Sequence, residues 1–118
     1  MTPGDKELLF KDICARLPYG VKVDAVFINP DTKEHKSCGI EVFDATSILM
    51  IRDGLGEFKP YLFPLSSMTW EQEYQYREVI ASSLNHYEVY DWFNKNHFDY
   101  RGLIEKGLAI DATDKNIY

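Results

Sequence analysis

The chain is short of the residues that tie a sequence to a particular chemistry. It has two cysteines, Cys14 and Cys38, in 118 residues, too few for the disulfide framework of a small secreted domain. They form no Cys-x-x-Cys pair, so two reduced, mostly buried thiols are expected and no metal site. His35 lies near Cys38, but His35, His86 and His97 are widely spaced, and two ligands do not make a zinc site. No linker rich in glycine, serine or proline, no repeat and no low-complexity stretch divides the sequence, which predicts a single globular domain over residues 1–118. Long apolar runs are missing, so nothing should span a bilayer. The polar start Thr2-Pro3-Gly4-Asp5-Lys6 lacks the hydrophobic region of a signal peptide. These two absences predict a cytoplasmic protein with no membrane association.

Positive charge is also scarce. The formal net charge of −6 divides into −2 over residues 1–60 and −4 over residues 61–118. Proteins that grip a phosphate backbone gather Lys and Arg, and no such cluster occurs, so nucleic acid is disfavoured as a partner. Gly54-Leu55-Gly56 lacks the third glycine and the following helix of a dinucleotide-binding loop. Ser66 and Ser67 stand outside any Gly-x-Ser-x-Gly setting. No cofactor, metal or catalytic residue is assigned.

What is present is an ordinary globular balance, 45% hydrophobic and 27% charged, with an aromatic surplus. Eight tyrosines exceed what an interior of this size needs. Some should stand half exposed, where an amphipathic ring suits an interface.

Along the chain, Thr2, Pro3 and Asp5 read as a helix start. Leu8, Leu9, Ile13 and Leu17 follow at helical spacing, with Lys6, Lys11, Asp12 and Arg16 on the opposite face. Pro18 and Gly20 end this helix. Val21, Val23, Ala25 and Phe27 alternate as a half-buried strand, and Asn29-Pro30-Asp31 makes a turn. A second strand is expected over residues 36–43 and a third over 47–52, joined as an antiparallel meander. Residues 57–63 read as a fourth, edge strand, because Pro60 and Pro64 cannot donate to a ladder. Thr69 and Gln72 have capping-box spacing for a helix to about Ser83, burying Tyr76, Val79, Ile80 and Leu84. Further helices are expected over 87–95, with Val89, Tyr90, Trp92 and Phe93 inward, and over 100–106, ending at Gly107. The predicted fold is therefore α+β: an N-terminal helix, an antiparallel sheet of three or four strands, and a C-terminal cluster of two to three short helices.

Two segments stand out as candidate sites. His97-Phe98-Asp99-Tyr100-Arg101 places an imidazole, a carboxylate, a phenol and a guanidinium close together. As a site, His97 would act as acid or base oriented by Asp99, with Arg101 holding an anion. As structure, which the residues favour, Asp99 caps a helix, Arg101 pairs with a carboxylate, and the rings anchor the segment. The other is Lys59-Pro60-Tyr61-Leu62-Phe63-Pro64, a proline-stiffened stretch that would turn Tyr61 and Phe63 one way and Leu62 the other. Such a strip could receive a partner chain or, as the residues favour, complete the core. The candidate binding surface is Tyr61, Phe63, His97, Asp99, Tyr100 and Arg101.

These same segments carry a resemblance. Lys59-Pro60-Tyr61-Leu62 with Pro64 and Ser66-Ser67-Met68-Thr69, and Asp91-Trp92-Phe93-Asn94 through His97–Ile104 to Gly107-Leu108-Ala109, resemble a group of small uncharacterised proteins. Those are encoded by phages, prophages and mobile elements of gut bacteria. The resemblance covers residues 59–112, and it departs at Phe93, where the group usually has Leu. It implies a phage-associated protein acting in the cytoplasm of a bacterial host, and no established activity. Together these readings lead to a non-enzymatic protein-interaction module whose partner is a protein, with the oligomeric state left open. The alternative is a small enzyme or ligand-binding protein with a pocket near His97, Asp99, Tyr100 and Arg101.

Overall fold

The first helix, α1 (Pro3–Arg16), begins as its sequence dictates. The Thr2 hydroxyl accepts from the Asp5 N–H at 3.1 Å, and the Asp5 carboxylate accepts from the Thr2 N–H, a reciprocal capping box. A computed structural model describes residues 2–82 and 86–118. After α1 come β1 (Lys22–Ile28), β2 (His35–Val42), α2 (Ala45–Arg52), β3 (Gly56–Pro64), α3 (Trp70–Ser82), α4 (His86–Lys95), β4 (Phe98–Asp99) and β5 (Ile110–Asp111). The fold is α+β, with four helices among the described residues.

The sheet is mixed, which corrects the all-antiparallel expectation. β1 pairs antiparallel with both β2 and β3, whereas β4 and β5 each join β3 in parallel. The strand order is β2-β1-β3-β4. β3 is thus central rather than an edge, despite its prolines. Pro60 opposes Val23 at the end of the β1 ladder, and Pro64 opposes Asp99 at the end of the short β4 ladder. Both sit where a ladder runs out, so their missing N–H groups cost little pairing.

The long edge strand is β2, whose residues are all exposed, Cys38 among them rather than buried as expected. Its register slips opposite Ala25 and Val26, next to Gly39 at φ 78°. A bulge of this kind twists the strand and discourages a second chain from adding on. The alternation expected from Val21 holds as far as Ala25: Val21, just before β1, and Val23 and Ala25 are buried with Ile13, Phe43, Phe58, Leu62 and Leu103, whereas Phe27 is half-buried.

Two expected elements and two expected burials differ. Residues 47–52 form part of helix α2 instead of a strand. The Asp44 carboxylate accepts from the Ser47 N–H at 3.0 Å, and the Ser47 hydroxyl accepts from the Asp44 N–H, so a second capping box overrides the strand preference of Ile48 and Ile51. Residues 100–106 form no continuous helix. The Asp99 carboxylate accepts from the N–H groups of Leu103 and Ile104 and fixes turns that stop at Gly107. Last, Ile80 and Tyr90 are exposed rather than buried. α3 keeps its Thr69–Gln72 capping box and turns Tyr76 against Trp92 and Phe93 of α4; Ser83 and Leu84 lie outside the described residues. No described helix is long and apolar enough to cross a membrane.

Candidate functional site

The segment carrying His97, Asp99, Tyr100 and Arg101 lies over the C-terminal half of α1, and Arg101 ties it to a carboxylate on that helix. Asp12 and Arg16 sit one helical turn apart on α1 and both are fully buried. The Arg16 Nε donates to Asp12 Oδ2 at 2.9 Å and its Nη2 to Oδ1 at 3.1 Å. The same Nη2 donates to the Phe98 carbonyl at 2.6 Å. From the far end of the chain, Arg101 Nε donates to Asp12 Oδ1 at 3.1 Å. Asp12 thus balances two guanidinium groups in a site largely shut off from water, where charge-assisted bonds are strong.

Tyr100 occupies the space between them. Its ring lies 5.4 Å from the Arg16 guanidinium and 4.9 Å from that of Arg101, both within cation–π range. Its hydroxyl donates to the Asn94 side-chain carbonyl at 3.0 Å and accepts from Arg101 Nη2 at 3.1 Å. Sequence reasoning placed Asp12 and Arg16 on the solvent face and missed Asn94. The available signal was the spacing of Asp12 and Arg16, which suits an intrahelical pair on either face.

His97 belongs to a second, adjoining group. It sits at φ 61°, and its imidazole stacks on Tyr118 with ring centroids 3.8 Å apart. Its Nδ1 is buried with no hydrogen-bond partner. Burial, joined by the charges of Arg16 and Lys22, lowers its pKa to about 4, so the ring is neutral near pH 7. Tyr118 docks by its hydroxyl, which accepts from the Lys22 N–H at 2.8 Å and donates to the Tyr61 carbonyl at 2.9 Å. Its burial pushes that phenol up to about 12. Ile117 is held too, its carbonyl accepting from the Lys22 ammonium.

The sequence-derived surface is therefore split by the fold. Tyr100 and Arg101 converge with Asp12, Arg16 and Asn94. Asp99 faces away from them to cap residues 103 and 104. Tyr61 is only 7% exposed, and neighbouring Leu62 is buried as well. Phe63 is half-buried against Phe98 and Tyr118. Tyr61 and Phe63 therefore do not form an exposed strip.

Surface aromatics occur instead on α3 and on α4, where Tyr87 and Tyr90 are exposed. Trp70 is 80% and Tyr74 59% exposed, and their rings stack with centroids 6.4 Å apart. Glu71, Glu73 and Glu78 lie on the same helix and are exposed, and Glu73 pairs with Arg77 at 3.4 Å. Among the described residues no group of three or more His, Cys, Asp or Glu could hold a metal ion. Comparison with protein-family models, curated proteins and solved structures gave no match.

Proposed function

We propose that this chain is a non-enzymatic protein-interaction module, acting in a bacterial host in the phage or mobile-element setting that its resemblance implies. Its contact surface is the aromatic face of α3. The observation that carries this reading is the Trp70–Tyr74 stack, two large rings held together in solvent with no core to fill. Trp and Tyr dominate binding energy where they enter a partner's pocket, and stacking one turn apart on a helix preorganises them. Glu71 and Glu78, the helix carboxylates outside the Glu73–Arg77 pair, select a partner whose pocket has a basic rim.

A catalytic or ligand pocket at His97, Asp99, Tyr100 and Arg101 has less support. Asp99, Tyr100 and Arg101 direct their polar groups to the protein itself, leaving no shared concave face for a ligand.

The test is capture of partners from host-cell lysate by wild type and by the Trp70→Ala, Tyr74→Ala double variant. Binding is then measured again with the purified partner by calorimetry. A one-to-one partner that the variant loses at unchanged melting temperature, and that binds less tightly as salt rises, supports the reading. Identical partners in both samples would sink it.

A further inference from the structure

A cavity along the face of α1 that carries Leu9, Phe10 and Ile13 suggests a second role that is independent of the α3 surface. Its volume is about 370 Å3, within the range of small-ligand sites (~300–1,000 Å3). One wall is the α1 stripe Lys6, Leu9, Phe10 and Ile13, spaced by three and four residues so that all four share a face. Ile28, Ile51 and Phe58 complete an apolar lining. Phe58 can lie flat here because Gly56 has no side chain; a Cβ there would come within 2.8 Å of its ring.

The mouth differs from the walls. Lys6 and Lys59 both border the cavity, both are exposed, and neither takes part in a salt bridge among the described residues. Long lysine stems can lie along apolar surface and keep the ammonium in water. Glu57 also borders the mouth, with the His35 ring 3.8 Å away. In a chain of net charge −6, an apolar cavity bordered by Lys6, Lys59 and Glu57 carries one net positive charge, a local reversal of sign. Phe10, exposed although large and apolar, stands beside it.

We infer that this cavity binds an alkyl-chain carboxylate, with the chain against Leu9, Phe10, Ile51 and Phe58 and the carboxylate between Lys6 and Lys59. A hydrocarbon tail needs no hydrogen-bonding partner from these walls. A carboxylate gains from paired cations where a neutral or cationic head does not.

The experiment titrates the full chain with dodecanoate below its micelle concentration and follows heat release by calorimetry. Decanoate and dodecyltrimethylammonium are run beside it. The expected result is saturable one-to-one binding of dodecanoate, roughly fifteenfold tighter than decanoate for the two added methylenes, and clear preference over the cationic head. Lys6→Gln with Lys59→Gln, both surface changes, should abolish that preference and leave the melting temperature unchanged. Ile51→Trp should block binding by filling the cavity. Equal binding of both head groups, or an unchanged preference in the lysine variant, would overturn the inference. So would a dimer lost in Ile51→Trp and indifferent to dodecanoate, since that would give the cavity to a second copy of the chain.

Discussion

Lowering the pH from about 7.5 to about 5 perturbs one group in particular, the His97 imidazole, which titrates at about 4 in the fold against about 6.5 when unfolded. Between those values the unfolded chain takes up a proton that the folded chain does not. Stability therefore falls as pH falls through this window. The loss starts near pH 6.5 and ends near 4, below which both states are protonated. The gap of about 2.5 pH units amounts to about 3 kcal/mol in full, and about 2 kcal/mol of it should be lost by pH 5. That is a large share for a domain whose whole stability is of order 5–15 kcal/mol. The assay is urea unfolding at both pH values for wild type and for His97→Asn. Asparagine tolerates the positive φ at this position and does not titrate. Carboxylates contribute to both proteins, so the difference between them isolates the imidazole. Wild type should lose about 2 kcal/mol more than the variant, and its His97 ring signal should titrate near pH 4 by NMR. Equal losses, or a ring midpoint above about 6, would refute the reasoning.

Other substitutions test the packing around α1. Asp12→Ala leaves two guanidinium groups without their carboxylate, one of them fully buried, and should cost about 3–5 kcal/mol in chemical denaturation. Arg101→Ala should cost less, because its side chain is 21% exposed and Arg16 retains Asp12. Tyr118→Phe removes the acceptor for the Lys22 N–H and the donor to the Tyr61 carbonyl, for an expected loss of about 1–3 kcal/mol by thermal unfolding. Gly56→Ala forces the Phe58 ring off its seat and should cost about 1–3 kcal/mol, with a change in the ring's NMR shifts that a surface substitution would not produce.

What was legible in the sequence was local. Thr2, Pro3 and Asp5 announce α1, Val21 to Ala25 announce β1, and Thr69 with Gln72 announces α3, since each signal lies within one or two turns of chain. α2 was misread because two local signals disagree there. Ile48 and Ile51 favour a strand, whereas Asp44 and Ser47 cap a helix, and periodicity over so few residues does not arbitrate. β3 was misread for another reason. Its prolines argue against a central strand only if they fall inside a ladder, and where a ladder ends depends on partners far away in sequence. The parallel pairing with β4 and β5 rests on two-residue strands, which leave no period to detect.

The candidate site failed to be legible for a related cause. The residues at 97–101 are chemically dense, and density alone suggested a site. In the fold, however, that density is what joins the C-terminal segment to α1. A bond from Arg101 to Asp12 spans 89 residues, and no periodicity of α1 reveals that its charged face is covered. One fully buried and one partly buried guanidinium around one buried carboxylate fix the orientation of the covering segment, because any slip would leave a desolvated charge unmatched. The same requirement explains why Tyr100 sits between them, where its ring face and hydroxyl each meet a cation. Polar residues concentrated in one segment are then a sign of attachment, and the solvent-facing Trp70 and Tyr74, which attach nothing, are where binding should be sought.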